Sequence, residues 1–597
     1  MKNISDPHLR FASLFKNEQI QPYAYLLSLL LSEGHVCLPL KNIQEYIDES
    51  FPYKDFAHRE EVFIDNADYF GENSAERKPF VIQNGNLYLH RYFCYEEIVY
   101  RRILKFLADE SSVITERKKK LKTIQPFIKE LFSEPESSEE LSVEEKVNWQ
   151  QTAALLAFIN QFFILCGGPG TGKTTTVAKL MAILYTINPD EKIALAAPTG
   201  KAAMRMAESL RNSNIKVNEE INERFKNIEP LTLHRLLKYQ KNSTQFKHNK
   251  DNPVFYDTVI IDESSMMDLA LIAKLLDAIS EQTRIVFLGD KNQLAAIEAG
   301  SIYGDLCDTP FEINTMQAST RSFINSFIEN KNQNVPNEYE IVTTGHPLFE
   351  HLVELKRSRR FKSGEGIGKL SKGIISGNTS ILKDFTNNKD KAILIDEEYD
   401  DKIFEDTVLK YRAYIEEDDI SKALKKINSL KVLCAIKDSA EGVKEINKRI
   451  ENILQRHKLI RAESTFYHNR PIIITSNNYN LGLFNGDIGI IRKDGENLLA
   501  WFESGNEIKS VLPGYILSFE TVYAMTIHKS QGSEYETVLI ILPKEKKHKL
   551  LTRELFYTGI TRAKTKVIVQ GSLEVCEEMT NKRVKRVSGL TDRMNQI

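Results

Sequence analysis

Cysteine is scarce in this sequence, and the cysteines that are present do not form pairs. The 597 residues include six cysteines, and none belongs to a Cys-x-x-Cys arrangement. Zinc sites, iron–sulfur clusters and disulfide frameworks normally need closely spaced cysteines, so this pattern argues against all three. We interpret the six as buried free thiols in a reducing compartment: Cys37, Cys94, Cys166, Cys307, Cys434 and Cys576.

Long apolar runs and a strong net charge are also missing. No uninterrupted apolar run reaches the ~18 residues of a membrane-spanning helix. The first residues, MKNISDPHLRFASLF, are too polar for a signal peptide. The net charge of -2 gives no overall basic field, so any site for a polyanion must be a local groove. These absences predict a soluble, cytoplasmic protein with no membrane partner.

The chain is long enough for about three or four domains. Residues 1–120 show helical periodicity and one hairpin, in which PFVIQ and LYLHRYF flank the turn Asn84-Gly85. The run from Glu130 to Glu145 is acidic and rich in serine, which predicts a solvated linker over residues 121–147. Over residues 148–345, strand-like runs such as FFILC, IALAAP and RIVFLGD alternate with helical segments, the pattern of a parallel α/β lobe.

A second α/β series follows over residues 346–597, with KVLCAI, TVLIIL and VIVQG as strands. Within it, residues 471–522 change to short strands separated by turns, which predicts a small β-barrel inserted into the second lobe. The predicted fold class is therefore α/β, with two lobes, an inserted barrel and a mostly helical N-terminal domain.

The stretch CGGPGTGKTTT has the composition of a loop that wraps nucleotide phosphates. Gly167-x4-Gly172-Lys173-Thr174 matches the phosphate-loop spacing and lies between a strand-like and a helical run. Backbone N–H groups and the helix N-terminus then face the phosphates. We expect Lys173 to reach the β and γ phosphates of ATP and Thr174 to bind Mg²⁺. The predicted nucleotide-binding residues are Gln150, Gly167, Gly168, Pro169, Gly170, Thr171, Gly172, Lys173, Thr174 and Thr175.

Three further side chains complete the predicted nucleotide site, and Gln150 has a separate role in it. Asp262 and Glu263 end the run TVIIDE; Asp262 suits the magnesium shell, and Glu263 suits a base that polarises the attacking water. Gln293 follows the run FLGD and is expected to touch the γ-phosphate and that water. Gln150 precedes the loop by about one helix and offers an amide to adenine. Two exposed loop carboxylates and ordinary surface glutamines are the alternative interpretations.

Two arginines far along the chain are candidates for reaching the γ-phosphate from the second lobe. Arg360 lies in VELKRSRRF, and Arg562 lies in LFYTGITRAKTKVIVQG. Arginines supplied in this way stabilise the charge of the transition state, typically by ~10³–10⁵ in rate. A surface or salt-bridging role is the alternative for both, and Arg359 is an alternative to Arg360. A second lobe with such residues favours a motor that opens and closes over a one-lobe switch.

Hydroxyl, amide and cationic side chains are concentrated in three short segments, YAMTIHKSQGSEYETVLIILP, APTGKAAMRM and TLHRLL. Such groups suit hydrogen bonds to phosphates and sugars, which hold a strand without reading its sequence. Capping of helices and turns is the alternative role. The candidate DNA-binding residues are Thr199, Lys201, Thr232, His234, Thr526, His528, Lys529, Ser530 and Gln531.

The complete, ordered set of motifs resembles the helicase motifs of superfamily 1, and specifically of its RecD branch: GGPGTGKTTT, APTGKAA, TLHRLL, IIDESSMMD, FLGDKNQL, SRRF, TIHKSQGSE and YTGITRAK. LGLFNGDIGII resembles the small SH3-like insertion of that branch. EGHVCLPL and GNLYLHRYFCYEE resemble the N-terminal domain of the RecD subunit of exodeoxyribonuclease V, also called RecBCD. The resemblance spans nearly the whole chain, and its N-terminal part favours this subunit over longer, stand-alone RecD-like helicases.

The resemblance implies two RecA-like phosphate-loop lobes that use ATP and Mg²⁺ to move 5′-to-3′ on single-stranded DNA. It also implies assembly with RecB-like and RecC-like subunits into a complex that processes double-strand ends for recombinational repair. At Arg359 the family often has tyrosine, so a stacking role at that position is not expected. The nucleotide roles implied by the resemblance fall on Lys173, Thr174, Asp262, Glu263, Gln293, Arg360 and Arg562.

Three other functions are compatible with parts of the sequence. A stand-alone repair helicase would use the same motor without partner subunits. An ATP-dependent switch or scaffold would show no stimulation of its ATPase by DNA. DNA cleavage by this chain itself would need a second cluster of carboxylates for two-metal chemistry, and we identify no convincing one in the sequence. The resemblance places cleavage in the RecB-like subunit.

Overall fold

The computed structural model describes residues 6–596, except 134–140, 214, 242, 343–344, 363, 387–389, 479, 505–506 and 546–547. The described residues form four β-sheets, two of which are large and parallel. All six cysteines are free, and all but Cys94 are buried. No helix in these described ranges combines the length and apolar character required to span a membrane.

The N-terminal domain packs two helices against a small sheet. Asp6 accepts hydrogen bonds from the first turn of α1, and Pro7 occupies the first helical position, where its missing N–H costs nothing. The predicted hairpin is confirmed: Asn84 and Gly85 have φ of 51° and 74°, as a tight turn between twisted strands requires. Two further strands, which the sequence did not predict, extend it to four. The elements are α1 (Pro7–Ala12), α2 (Gln21–Ser32), β1 (Leu38–Pro39), α3 (Glu61–Asp65), β2 (Phe70–Gly71), β3 (Phe80–Gln83) and β4 (Asn86–Leu89).

A long helix, α4 (His90–Thr123), joins this domain to the first lobe. The ring of Phe106 stacks on that of Phe162 with centroids 6.5 Å apart, and Arg102 Nε donates to the carbonyl oxygen of Leu276 over 2.9 Å. One apolar core therefore continues from the N-terminal domain into the first lobe. The N-terminal domain is fixed to the lobe and is not a separate module.

The prediction of an acidic linker over residues 121–147 is wrong at its start. Leu121 at the end of α4 is buried in the core of the first lobe, and so are Ile128 and Leu131 on the apolar face of the short helix α5 (Gln125–Phe132). A second short helix, α6 (Val143–Lys146), is capped by Ser142: its hydroxyl accepts from the N–H of Glu145, and the Glu145 carboxylate accepts from the N–H of Ser142. Residues 134–140, the centre of the predicted linker, lie outside the described residues.

The first lobe is a six-stranded parallel sheet with helices on both faces, in the order β10-β5-β9-β8-β6-β7. Strands β5, β8 and β9 are buried along their whole length, which explains their continuous apolar runs. The elements are α7 (Trp149–Ile159), β5 (Phe162–Gly167), α8 (Lys173–Ile187), β6 (Ile193–Ala197), α9 (Gly200–Arg211), α10 (Glu219–Lys226), β7 (Pro230–Thr232), α11 (Leu233–Leu236), β8 (Thr258–Ile261), α12 (Leu269–Ala278), β9 (Arg284–Gly289), α13 (Ile302–Cys307), α14 (Ala318–Asn325) and β10 (Leu352–Leu355).

The prediction that the second lobe begins at residue 346 is wrong, because β10 pairs in parallel with β5 of the first sheet. The second lobe begins after β10 and has the strand order β11-β20-β19-β12-β18. The elements are α15 (Gly366–Ser376), β11 (Ile393–Asp396), α16 (Asp401–Val408), α17 (Arg412–Ile415), α18 (Ile420–Lys426), β12 (Leu430–Cys434), α19 (Val443–Arg456), β13 (Arg470–Ile474), β14 (Ile488–Asp494), β15 (Asn497–Ser504), β16 (Glu507–Val511), β17 (Phe519–Thr521), β18 (Ala524–Thr526), β19 (Tyr535–Ile541), α20 (Arg553–Thr561), β20 (Ala563–Gln570), α21 (Leu573–Asn581) and α22 (Leu590–Asn595).

Strands β13 to β17 form a separate antiparallel sheet over residues 470–521, in the order β16-β15-β14-β13-β17. This sheet has its own small core, which includes Ile472, Ile491 and Phe502. The three strands predicted for the parallel part of the lobe are β12, β19 and β20. The span from β13 to β17 is called the insertion below.

The last residues do not stay with the second lobe, contrary to the prediction of a lobe extending to residue 597. Residues 583–596, here called the C-terminal strap, cross to the first lobe and the N-terminal domain. Val36 N donates to the carbonyl oxygen of Val587 over 2.8 Å, and Leu590 and Met594 are buried in the core that α4 shares with the first lobe. The apolar side chains of α22 are therefore buried against α4 and the first lobe and not against the second lobe.

Two buried carboxyl groups face the strap. Gly589 N donates to Glu96 Oε2 over 3.0 Å, and Ser588 Oγ donates to Asp305 Oδ2 over 2.7 Å. Burial raises the pKa of each carboxyl to about 7. An exposed carboxyl has a pKa of about 4. Between about pH 4 and about pH 7 the protein with its strap docked therefore binds more protons than the protein with its strap released.

We predict that docking of the strap weakens as the pH rises from about 4 to about 7 and levels off above that, because over this interval both carboxyls ionise in the undocked state but stay protonated in the docked one. His35 accepts a hydrogen bond from the strap, and burial lowers its pKa, so below about pH 6.5 its one proton opposes the trend set by the two carboxyls without cancelling it. Hydrogen exchange of residues 583–596, corrected for the intrinsic effect of pH, measures the opening. A Glu96→Gln, Asp305→Asn variant should lose no protection over this interval. Equal loss of protection in both proteins would contradict this prediction.

Candidate active site and DNA interface

The predicted phosphate loop connects β5 to α8, with Lys173 as the first residue of the helix. Gly170 and Gly172 have φ of 76° and 89°, which side chains other than glycine rarely adopt. Thr171 Oγ1 donates to the carbonyl oxygen of Gly168 over 2.8 Å and closes the turn. Lys173 Nζ donates to the carbonyl oxygen of Gly167 over 2.6 Å, so its ammonium lies inside the loop.

Gln150 supports this loop from α7, so the interpretation as a surface glutamine is wrong. It is 8% exposed, and its Nε2 donates to the carbonyl oxygen of Thr171 over 3.1 Å. A Cβ on Gly172 would lie 2.1 Å from that nitrogen, so the glycine makes the close approach possible. Gln150 Oε1 is buried and has no hydrogen-bond partner among the described residues, which leaves an acceptor beside the loop.

The phosphate loop opens into a cavity of about 340 Å³ between the lobes. The structure brings residues from five separate parts of the sequence together around it. The cavity is lined by these predicted residues: 169–175, Asp262, Glu263, Gln293, Arg360 and Arg562. Arg359, the alternative to Arg360, also lines the cavity.

Asp262 and Glu263 lie where β8 ends, at the carboxyl edge of the sheet. Glu263 has a φ of 52°, and its N–H donates to Asp262 Oδ1 over 2.8 Å. Burial, and then the charge of Glu263, raise the pKa of Asp262 to about 6. A left-handed glutamate is strained, and such strain is concentrated at functional sites. The pair is therefore held close together beside Lys173, and the interpretation as two exposed loop carboxylates is wrong.

Arg562 crosses from the second lobe to Gln293 in the first. Its Nη2 donates to Gln293 Oε1 over 2.9 Å, and the arginine is only 3% exposed. The other two nitrogens of its guanidinium donate to the carbonyl oxygens of Thr558 and Ser533, which fix its orientation. Arg562 is therefore not a surface residue, and its closest partner in the first lobe is the glutamine predicted to sense the γ-phosphate.

Asp290 holds the other end of Gln293. Gln293 Nε2 and the hydroxyl of Tyr557 both donate to Asp290 Oδ2 over 3.0 Å. Tyr557 lies in α20 of the second lobe, so this carboxylate is shared by the two lobes. Asp290 and Tyr557 lie in the quoted motifs FLGD and YTGITRAK, but nothing in the sequence indicates that they meet.

Arg360 pairs with a second residue that the sequence did not single out. Arg360 Nη2 lies 2.7 Å from Glu534 Oε2, and Glu534 also binds Arg205 of α9 in the first lobe. Although burial raises the pKa of Glu534, the two guanidinium groups hold it at about 2. Arg360 Nη1 is buried without a hydrogen-bond partner among the described residues. Glu534 therefore stays ionised and bridges the lobes.

The candidate DNA-binding residues of the first lobe lie at the starts of α9 and α11. Thr199 and Thr232 accept hydrogen bonds from Ala202 N and Arg235 N, both over 3.2 Å, so the capping role is real for both. The two segments are neighbours, because β6 and β7 pair in parallel. Lys201 lies at the same edge, and burial lowers its pKa to about 8. His234 is exposed on α11.

Among the second-lobe candidates, Gln531 contacts the first lobe directly. Gln531 Nε2 donates to the carbonyl oxygen of Leu294 in the first lobe over 2.9 Å. Lys529 is exposed and pairs with Glu520 at 2.7 Å. The prediction for Ser530 is wrong: its side chain is 0% exposed and donates to the carbonyl oxygen of Ile527, so its hydroxyl is not accessible to DNA.

Thr526 and His528 complete the second-lobe set, and both are half-buried. Thr526 Oγ1 accepts a hydrogen bond from Lys529 N over 3.2 Å, so it shapes the turn. The insertion also reaches the first lobe, since the guanidinium of Arg235 lies 4.9 Å from the ring centre of Phe484. The insertion therefore contacts the first lobe at α11, the helix that carries His234.

Two parts of the chain match known protein families. Residues 150–299 match an AAA domain, and residues 521–570 match a UvrD-like helicase C-terminal domain. The first match contains the phosphate loop, Asp262, Glu263 and Gln293, and the second contains Arg562.

The RecBCD enzyme subunit RecD of Haemophilus influenzae is 33% identical over 488 residues, which cover 75% of this chain and 72% of the relative. The same subunit of Mycobacterium tuberculosis is 32% identical over 518 residues, 85% of this chain and 80% of the relative. The ATP-dependent RecD2 DNA helicase of Deinococcus radiodurans is 26% identical, and the match covers 69% of this chain but 47% of that helicase. This chain therefore belongs to the RecD family of DNA helicase subunits.

Proposed function

We propose that this chain is the ATP-driven, 5′-to-3′ helicase and translocase subunit of a RecBCD-type complex that unwinds and processes double-strand DNA ends for recombinational repair. One observation supports a motor above all others: Arg360 and Arg562 of the second lobe line the same cavity as Lys173 and Asp262 of the first. A nucleotide in that cavity is contacted by both lobes, so its binding and hydrolysis change their separation.

The phosphates of ATP occupy the loop from Gly167 to Thr175, with Lys173 leaving the loop carbonyls for the β and γ phosphates. Thr174 and Asp262 present a hydroxyl and a carboxylate at the same cavity, and these are oxygen ligands of the kind Mg²⁺ prefers. No cluster of three or more metal-ligating side chains lies within the described residues. That fits an ion that takes its remaining ligands from phosphate and water. Mg²⁺ there would neutralise phosphate charge.

Four side chains have roles in the hydrolysis step itself. Glu263 orients and polarises the attacking water, and Gln293 lies between that water and the γ-phosphate. Arg562 and Arg360 stabilise the charge that develops on the transferred group. Arg360 must exchange the carboxylate of Glu534 for phosphate, which replaces a contact within the second lobe by one across the cleft. Closure is driven only by such differences in affinity.

DNA is held by its backbone in the groove between the lobes. The first lobe supplies Thr199, Lys201, Thr232 and His234, and the second supplies Thr526, His528, Lys529 and Gln531. Contacts of this kind tolerate any sequence, as a translocating motor requires. Gln531 touches Leu294, the residue after Gln293, so DNA contact and phosphate sensing are one residue apart.

The domains follow the structure and not the boundaries expected from the sequence. Two RecA-like lobes form the motor, and the insertion over 470–521 is an SH3-like barrel that closes one side of the DNA groove. The N-terminal domain, helices with a small sheet, binds the RecB-like and RecC-like subunits. The complex acts in the cytoplasm, where its DNA is, and cleavage belongs to the RecB-like subunit.

A stand-alone RecD-like repair helicase is the alternative. The RecD subunits match over 72% to 80% of their own length at 32% to 33% identity, whereas the RecD2 helicase matches over 47% of its length at 26%. This difference favours the subunit. Co-purification of RecB-like and RecC-like proteins from the native host distinguishes the two, because a stand-alone helicase brings neither.

Lys173→Gln should lower ATP hydrolysis at least about 100-fold, because the variant lacks the cation aimed at the developing phosphate charge. Assembly with partner subunits should be unchanged, since Lys173 lies in the cleft. Steady-state ATPase assays and co-purification measure the two properties. Lys192→Gln, an exposed lysine of the same lobe, is the control. Persistent turnover in Lys173→Gln would mean that the nucleotide site is assigned incorrectly.

Arg562→Ala should lower kcat by about 10³ while the affinity for ATP changes much less, as expected for a residue that acts in the transition state. Single-turnover hydrolysis and binding of a fluorescent ATP analogue separate the two effects. Arg461→Ala removes an exposed arginine of the second lobe and should behave like the wild-type protein. An equal loss in both variants would rule out a specific role for Arg562.

The direction of movement is tested on duplexes with a single-stranded tail at one end. The full chain together with its partner subunits should displace the strand from a 5′-tailed duplex, and single-stranded DNA should stimulate its ATPase. The same assays on a 3′-tailed duplex, and with a partner complex lacking this chain, are the controls. An ATPase that DNA does not stimulate would instead support a nucleotide-dependent switch or scaffold.

A further inference from the structure

Residues 294–300 form a loop between Gln293 and α13 that touches several parts of the protein. At its start, Leu294 N donates to Thr558 Oγ1 over 3.0 Å, in the second lobe. At its end, Gly300 N donates to the carbonyl oxygen of Gly34 over 3.0 Å, in the N-terminal domain. The loop therefore connects the residue beside the phosphate cavity to a domain remote from it.

One side chain of the C-terminal strap holds the middle of this loop. Arg586 Nη1 donates to the carbonyl oxygens of Ala296 over 2.5 Å and Glu298 over 3.4 Å. Within the described part of the chain, residues 295–298 form no other hydrogen bonds with residues outside the loop. Ala296 is 5% exposed, so without Arg586 its carbonyl would be left buried and unpaired, which is costly.

The position of Arg586 is fixed by its surroundings and not by the loop alone. A Cβ on Gly34 would lie 2.6 Å from the central carbon of the guanidinium, so the glycine packs directly against it. The adjacent Val587 pairs with Val36, and Ser588 pairs with Asp305. Contacts with the strap and the N-terminal domain thus orient the Arg586 side chain toward the loop.

We propose that Arg586 is a positioning residue for ATP hydrolysis. This inference rests on the proposed function. Arg586 holds the loop 294–300 in place, so that Gln293 stays in contact with Arg562 when the lobes close. Arg586 touches no residue that lines the cavity, so it acts through the loop. A loosened loop disorders the glutamine that orients water and phosphate, and a small displacement of such a group is enough to slow the reaction.

The test is the DNA-stimulated ATPase of the full chain carrying Arg586→Ala. We expect kcat to fall about tenfold, the change that corresponds to ~1.4 kcal/mol of transition-state stabilisation. KM for ATP should stay within about twofold, because the phosphate loop is untouched. Lys585→Ala removes the neighbouring exposed cation and should change neither value. An unchanged kcat in Arg586→Ala would overturn the proposal.

Two further variants separate positioning of the loop from general loosening of the strap. Ser588→Ala weakens strap docking at Asp305 without touching the loop and should leave kcat unchanged; a tenfold loss there would overturn the specific role of Arg586. Adding Arg586→Ala to Gln293→Ala should cost nothing more, because the loop then has no glutamine to position. A further tenfold loss in that double variant would also overturn the proposal.

Gly34→Ala and Arg586→Lys keep the proposal testable if Arg586→Ala does not fold. The first places a methyl group where the guanidinium lies, and the second retains the charge with a single ammonium donor group. Both should lower kcat, and wild-type rates in both would overturn the proposal. If DNA does not stimulate the wild-type protein, the proposed function fails, and the same comparisons on basal hydrolysis still decide the role of Arg586.

Discussion

The contact between Arg562 and Gln293 requires the two lobes to meet at one place, because neither side chain can satisfy its polar atoms without the other. Both are almost completely buried, and each is oriented by further partners in its own lobe: Arg562 by Thr558 and Ser533, Gln293 by Asp290. A buried, oriented pair of this kind tolerates little displacement. The cavity beside Lys173 takes its shape from this contact.

Charge keeps this interface adjustable. Glu534 is ionised between Arg205 and Arg360, and a carboxylate between two arginines is a stand-in for a phosphate group. A nucleotide that offers phosphate to Arg360 competes with Glu534 and does not simply add to the contacts. The same set of side chains can therefore hold the lobes together in two different ways, which a motor needs and a rigid enzyme does not.

The strap and α4 give the motor a fixed base. The N-terminal domain, the first lobe and the strap all contribute side chains to one continuous apolar core. The rest of the second lobe is attached across the cleft by Leu294, which is buried in its core, and by polar pairs such as Arg562 with Gln293. Partner subunits bound to the N-terminal domain would be fixed to the first lobe. Force generated by movement of the second lobe would then be transmitted to them.

The sequence alone determined the local features. The phosphate loop, the hairpin at Asn84-Gly85 and the strands β5, β8 and β9 could be predicted because each depends on residues that are neighbours along the chain. The roles expected for Lys173 and Asp262 have the same origin. Only the tertiary structure decided that β10 joins the first sheet, that residues 121–132 are core, and that Glu534 meets Arg205 and Arg360. Those outcomes depend on contacts between distant segments, and the pattern within any single segment does not specify its partner.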